Sequence, residues 1–320
     1  MIKIVEVGPR DGLQNETEII PSDTKVAFVN ALSESGVSEI EVSAFVSPKR
    51  IPQLKDASIV FKNIQRKKRV IYSALVPNSK GLERAVNAGA NKISVFTAAS
   101  ETFNQKNINT SVEGSMERFR PVVRRAGNLG LPVRGYISTA FWCAFEGKIS
   151  PRAVLGVAQR LMDMGMDELS ISDTIGKASP DEVGMLMDVL LSKIPAERIA
   201  VHFHDTYGRG IDNILRSVSY GIQIVDASVG GLGGCPFAPG ATGNVATEAV
   251  VAALIKAGEK VAVDTERLMR AREMLDPYIP AKPDVLPPPD SPACSLCEFF
   301  DGKKCCGSMA EGKPQIGPTL

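Results

Sequence analysis

Histidine is almost absent: the 320 residues contain two, His202 and His204. Any imidazole chemistry is therefore confined to the stretch Val201–Asp205. Charge of one sign is also lacking. Thirty-seven basic residues face 36 acidic ones, which argues against nucleic acid or an anionic membrane as the main partner. The run Arg66-Lys67-Lys68-Arg69 reads as a solvated helix end, with a contact for a phosphorylated ligand as the other reading. No apolar stretch approaches the ~20 residues of a membrane span. The chain enters directly on the strand-like run Ile2–Val7, without the charged lead and apolar core of a signal peptide. Cysteine is scarce in the body, where only Cys143 and Cys235 occur, so the body is not disulfide-built and a reducing cytoplasm is expected.

What is present is alternation. Strand-like runs at Ile2–Val7, Glu39–Ala44, Arg69–Val76, Asn91–Thr97, Pro132–Ser138, Glu168–Ser172, Ile199–His204 and Ile224–Ser228 are each trailed by a helical pattern. Those helices fall near Ser22–Ser35, Leu54–Ile64, Lys80–Ala88, Ser111–Leu129, Pro151–Met164, Pro180–Leu191, Gly208–Tyr220 and Gly243–Ala257, with one more over Asp264–Leu275. Eight such units over ~250 residues predict an α/β fold of the (β/α)8 TIM-barrel type. A doubly wound open sheet would carry a glycine-rich phosphate turn after the first strand, and Gly8-Pro9-Arg10-Asp11-Gly12 is not that fingerprint. The barrel is expected over residues 1–276, a Pro-rich extension over 277–293 and a Cys-containing tail over 294–320.

In such barrels, chemistry collects at the C-terminal ends of the strands. The first strand delivers Arg10 and Asp11, the second Glu41, the sixth Asp173, and the seventh His202 and His204. Two positions apart on a strand, the imidazoles share a face. Asp11, His202 and His204, with Asn244 as a neutral oxygen ligand, form a mixed O/N set suited to Mg²⁺, Mn²⁺ or a similar divalent cation. Arg10 is a fixed cation for a carbonyl or enolate oxygen, while Glu41 and Asp173 are candidates for proton transfer or for support of the ligands. Beyond the eighth strand lie six glycines between Gly230 and Gly243, with Cys235 in their midst and Glu248 just after. Metal, arginine and thiol without a nucleotide loop suit carbon–carbon cleavage or formation through an enolate. A Schiff-base aldolase would want a lysine at a strand's C-terminal end; Lys3 and Lys92 are not so placed, and Lys177, in the loop after the sixth strand, is a weak exception.

The segments Val5–Glu16, Phe45–Lys49, Arg134–Tyr136, Asp173–Gly176, His202–Thr206 and, most specifically, Ser228–Glu248 closely resemble the 3-hydroxy-3-methylglutaryl-CoA lyases. The likeness spans roughly residues 2–275. It implies a TIM barrel that cleaves an acyl-CoA into acetyl-CoA and a keto acid, acetoacetate for the usual substrate. By position, Asp11, His202, His204 and Asn244 would hold the cation, and Arg10 would stabilise the enolate. Cys235 would act in acid/base catalysis, Glu41, Asp173 and Glu248 would support proton transfer, and Gln14 would line the site. The expected partner is the acyl-CoA substrate, with a homo-oligomer such as a dimer as the expected assembly. Related synthases that condense acetyl-CoA with a keto acid share the Arg-Asp-Gly and His-x-His elements but lack this cysteine loop, which favours cleavage.

The chain departs from the family pattern at Ser43-Ala44, at Ser172 where glycine is usual, at Trp142 where a small or acidic residue is common, and at Ala144 where proline is usual. Added bulk at Ser172 and Trp142 predicts an altered substrate wall. One methylene is worth only ~1–3 kcal/mol, so such changes can redirect preference toward a shorter substrate such as citramalyl-CoA, which yields pyruvate.

The tail lies outside the resemblance. Cys294, Cys297, Cys305 and Cys306 have partial zinc or iron–sulfur spacing, but adjacent cysteines strain a four-thiolate site. They read as surface thiols on a flexible tail. Removing residues 294–320 is therefore expected to leave the zinc and iron content of the purified protein unchanged, which elemental analysis against the full chain checks.

Overall fold

The computed structural model describes residues 1–233 and 243–279. Cys235, the Pro-rich segment beyond Ile279 and the four tail cysteines lie outside the described residues. Chain order begins with β1 (Lys3–Glu6), a π-helical turn (Gly8–Gly12), α1 (Ser22–Ser33), β2 (Glu39–Ala44), α2 (Ala57–Asn63), β3 (Ile71–Leu75) and α3 (Ser79–Ala88). It continues through β4 (Lys92–Ala98), α4 (Glu101–Ile108), α5 (Val112–Asn128), β5 (Val133–Ser138), a hairpin of β6 (Trp142–Cys143) and β7 (Gly147–Lys148), and α6 (Pro151–Met164). The last part is β8 (Glu168–Asp173), α7 (Pro180–Leu191), β9 (Ile199–Phe203), α8 (Gly210–Ser219), β10 (Ile224–Ala227), α9 (Thr247–Lys256) and α10 (Thr265–Glu273). Eight parallel strands close in the order β1-β10-β9-β8-β5-β4-β3-β2, the (β/α)8 barrel expected from the alternation.

Strand pleating sorts the side chains into two populations. Ile4, Ile40, Val42, Ile93, Val95, Ile137, Leu169, Ile171, Val201, Phe203 and Val225 belong to the main apolar core with the helices. The alternate positions face the barrel axis, and many are polar: Glu39, Glu41, Lys92, Ser94, Arg134, Tyr136, Ser170, His202 and Asp226 are all buried. Helix starts follow from their caps. Ser100, Ser111, Ser150 and Ser179 each accept a backbone N–H of the first turn, and Ser179 forms a reciprocal capping box with Glu182.

Two elements were not expected from the pattern. Helix α4 is short and polar, so it carries little apolar periodicity; its start rests on the Ser100 cap. The β6–β7 hairpin has two residues per strand, too few for alternation to register. The last barrel helix also begins later than Gly243. Asn244 bridges His204 and Ala246 bridges Ser228, so this stretch is held as extended chain against the sheet before α9 can start.

Two buried carboxyls on the outward side of the strands fasten the loops around the barrel's C-terminal face. Glu6 accepts from Gly8 N (2.9 Å), Val229 N (3.0 Å) and Thr247 Oγ1 (2.7 Å), tying the π-turn to the segment after β10 and to α9. Asp173 Oδ2 accepts from Ala178 N at 2.8 Å and shapes the loop after β8. Burial pushes both carboxyls up to about 7. Since the folded state holds protons that the unfolded chain releases, the stability each contributes is complete below its ordinary value near 4.5 (Glu) or 3.8 (Asp) and is lost as pH rises through about 7. Glu6→Gln is expected to flatten the fall in urea midpoint between about pH 5 and about pH 8.

Candidate metal centre and active site

The π-turn sets the geometry of the first two functional residues. Arg10 N, Asp11 N and Gly12 N all converge on the Val7 carbonyl at 2.8–3.2 Å, and Leu13 N reaches Gly8 O at 3.0 Å. This widened turn fits the compact sequence Gly8-Pro9-Arg10-Asp11-Gly12. At Gly8 a Cβ would stand 2.6 Å from Glu6 Oε1, and at Gly12 it would stand 2.9 Å from Leu232 Cβ, so neither position has room for a side chain. Such π insertions occur often at functional sites because they swing successive side chains to one side. Here they turn Arg10 and Asp11 over the mouth of the barrel.

Asp11, His202 and His204 each offer a ligand atom, and the three atoms lie within 4.8 Å of one another. His202 Nε2 faces Asp11 Oδ2 at 3.9 Å, and the two imidazole centroids are 5.4 Å apart. Asn244 joins the group: its Nδ2 donates to Asp11 Oδ2 (2.9 Å) and to the Leu232 carbonyl (3.0 Å). Gly233, at φ +100°, makes this approach feasible, since a Cβ there would meet Asn244 Nδ2 at 2.7 Å. Gln14 Nε2 donates to Asp11 Oδ1 at 3.0 Å from the same turn. Burial pushes the Asp11 carboxyl up, but Arg10 and then the two imidazoles outweigh it and hold it at about 2. An ionised carboxylate and two imidazoles form a donor set that fits a divalent cation of the Mg²⁺ or Mn²⁺ kind.

Arg10 is clamped from the inside. Its Nε and Nη2 both reach Glu41 Oε2 at 2.5 Å, its Nη1 reaches Asp11 Oδ1 at 2.5 Å, and its guanidinium stands 5.2 Å from the Tyr136 ring centroid. Burial alone would lower its basicity, but Glu41 and Asp11 raise it, so the guanidinium stays charged. Glu41 is itself held by Ser94 Oγ (2.6 Å) and the Tyr136 hydroxyl (3.1 Å). Ser172, on the inward face of β8, pairs in register with His202 and is 3% exposed, which places it beside the ligands.

Other expected site residues are placed differently. Asp173 and Glu248 serve loops: Asp173 binds Ala178 N, and Glu248 Oε2 accepts from Gly230 N at 3.0 Å. Trp142 lies in the hairpin, where its Nε1 donates to Glu182 (3.2 Å) and Lys177 Nζ sits 4.0 Å from its ring centroid. Conversely, Tyr136, Ser94, Ser170 and Asp226 surround the site without having been singled out as site residues. Their signal lay in strand parity, since each shares the inward face with a site residue.

A family model described as HMGL-like matches residues 1–275. The rat protein named 3-hydroxy-3-methylglutaryl-CoA lyase, cytoplasmic, is 48% identical over 274 residues, covering 86% of this chain and 80% of that one. The HMG-CoA lyase structure from Brucella melitensis superposes with a TM-score of 0.85 at 47% identity, covering 86% of this chain and 98% of that chain. An A. baumannii HMG-CoA lyase structure, in complex with coenzyme A and 3-methylmalate, gives 0.83 at 36% identity over 97% of this chain and 98% of that chain. With a barrel, a ligand cluster and this extent of likeness in agreement, the chain belongs to the HMGL-like family.

Proposed function

We propose that the protein cleaves a 3-hydroxy-3-methyl dicarboxylic acyl-CoA, 3-hydroxy-3-methylglutaryl-CoA in the first instance, to acetyl-CoA and acetoacetate. The observation that carries this reading is the clamped Arg10 directly beside the Asp11–His202–His204 cluster. Asp11, His202, His204 and the Asn244 amide oxygen would hold Mg²⁺ or Mn²⁺. When bound, that ion would supply Lewis-acid polarisation of oxygen. The substrate's tertiary hydroxyl loses its proton to a base, the adjacent carbon–carbon bond breaks, and its electron pair passes to the acetyl-CoA enolate. Arg10 faces that developing oxyanion as a preorganised charge that needs no rearrangement. Cys235, outside the described residues, is the proposed proton donor to the enolate carbon. Glu41 keeps Arg10 fixed and is the proposed support for proton transfer, while Gln14 steadies Asp11. Asp173 and Glu248 act by holding the loops on which this arrangement rests. A soluble cytoplasmic homo-oligomer is the proposed state; among the described residues no helix is long and apolar enough to cross a membrane.

A cavity of about 210 Å³ beside the site suits the long arm of a CoA thioester. Its inner wall includes Leu75 and Phe96, which pack in one cluster with Tyr136, and its lining includes Arg50 and Arg118. A cavity of mixed lining, with Leu75 and Phe96 for methylenes, Asn78 and Asn109 for amides and two arginines for phosphates, matches a pantetheine arm followed by its phosphates. Replacing either arginine by alanine is expected to raise KM for the acyl-CoA about tenfold, roughly 1.4 kcal/mol, and to leave kinetics on the acyl-pantetheine thioester unchanged. Equal losses on both thioesters would place the phosphates elsewhere.

Ser172 supports a second reading. Its side chain occupies the inward position beside His202 where the family pattern has none, so a shorter acyl group such as citramalyl fits the reduced space. Purified protein with Mg²⁺ or Mn²⁺, offered 3-hydroxy-3-methylglutaryl-CoA and both citramalyl-CoA stereoisomers, decides by its keto-acid product. Acetoacetate supports the first reading and pyruvate the second. Release of CoA from acetyl-CoA plus a keto acid, with no cleavage of either thioester, would overturn both in favour of a synthase.

A further inference from the structure

His202 and Asp226 occupy paired positions on neighbouring strands β9 and β10, both on the inward face. Asp226 Oδ2 stands 3.4 Å from His202 Nδ1, whereas Nε2 faces Asp11. A neutral imidazole carries one N–H and one lone pair, and an ionised carboxylate can only accept. Carboxylates thus stand on both sides of the ring, and the nearer and fully buried one, Asp226, favours the proton on Nδ1, which leaves the Nε2 lone pair toward the ligand cluster.

Asp226 has no freedom to turn away. Its Oδ1 receives Arg134 Nη2 at 2.6 Å from β5, and its Oδ2 receives Ser170 Oγ at 2.9 Å from β8. Arg134 in turn is fixed by Glu168 (Nε to Oε1, 2.8 Å) and lies 5.1 Å from the Tyr136 ring centroid. Tyr136 meets the His202 ring edge-on at 86°, so the imidazole plane is set as well as its polarity. Three strands thus converge on the back of one ligand, and none of these groups is itself among the candidate ligands.

We propose that Asp226, clamped by Arg134 and Ser170, is a positioning residue that fixes His202 as the Nδ1–H tautomer and presents Nε2 to the divalent cation. The proposal rests on the metal reading for its consequence but not for the tautomer. Partners of this kind behind a ligating histidine typically change metal affinity by about 10–100-fold.

With two histidines in the chain, protein labelled with ¹⁵N-histidine gives two imidazole signal sets, and long-range ¹⁵N–¹H correlation in metal-free protein at alkaline pH reads each tautomer. His202 is expected as Nδ1–H, and Asp226→Asn is expected to populate the other tautomer. Mn²⁺ affinity, followed by electron paramagnetic resonance of the free ion, is expected to weaken about 10–100-fold in Asp226→Asn. Ser170→Ala keeps the Arg134–Asp226 pair and removes one clamp, so it serves if Asp226→Asn fails to fold; a several-fold loss of Mn²⁺ affinity is expected. An Nε2–H tautomer in the unsubstituted protein, or Mn²⁺ affinity within about twofold of it in every folded variant, overturns the proposal. Protein that binds no Mn²⁺ at all overturns the metal reading instead, while the tautomer is still decided.

Discussion

The ion pair between Arg134 and Asp226, at 2.6 Å with both groups at most 1% exposed, is the interaction on which the interior of this barrel depends. It is the middle rung of a ladder of charges along the axis. Below it Lys92 binds Glu39 (2.8 Å) and Glu168 (3.0 Å), and Glu168 also binds Arg134. Above it Asp226 faces His202, and across the mouth Arg10 joins Glu41 to Asp11. Removing one partner of a buried pair leaves an uncompensated charge that costs about 3–5 kcal/mol, so each rung constrains the next. Burial opposes the Arg134 charge, yet Asp226 and its neighbours raise its basicity, and Arg134 likewise holds Asp226 below the usual carboxylate range.

The ladder also has an electrostatic balance. The carboxylates of Glu39, Glu168, Asp226, Glu41 and Asp11 face the cations Lys92, Arg134 and Arg10. A barrel filled with branched aliphatic side chains would be simpler to stabilise. This one has exchanged apolar filling for a rigid, charged support whose upper end is the ligand cluster. Rigidity of that kind is what a site needs if its charges are to be in place before the reaction begins.

Loops complete the centre through a different device. Glu6, Asp173 and Glu248 spend their carboxylates on backbone N–H groups of Gly8, Val229, Ala178 and Gly230. Loop backbone so close to a core cannot be left unsatisfied, and a buried acid is a compact way to satisfy two or three donors at once. The carboxylates of this face therefore divide by strand parity. Glu41, on an inward position, pairs with Arg10, whereas Glu6 and Asp173, on outward positions, bind loop backbone.

The sequence alone carried the periodicity of eight strand–helix units, the candidate ligand trio Asp11, His202 and His204, and Arg10 beside it, because these depend on local alternation and on rare residue types in strand register. The family motifs lay there as well. Tertiary structure alone decided which carboxylates meet Arg10 and which bind loop backbone, since Glu41 and Asp173 look alike in one dimension and are separated only by the pleat. It also decided that Trp142 stacks under Lys177 in a hairpin, and that Arg134, Ser170 and Asp226, far apart in the chain, meet behind His202. Closing the barrel brings β5, β8, β9 and β10 side by side, and no local pattern encodes a pairing between residues 92 positions apart.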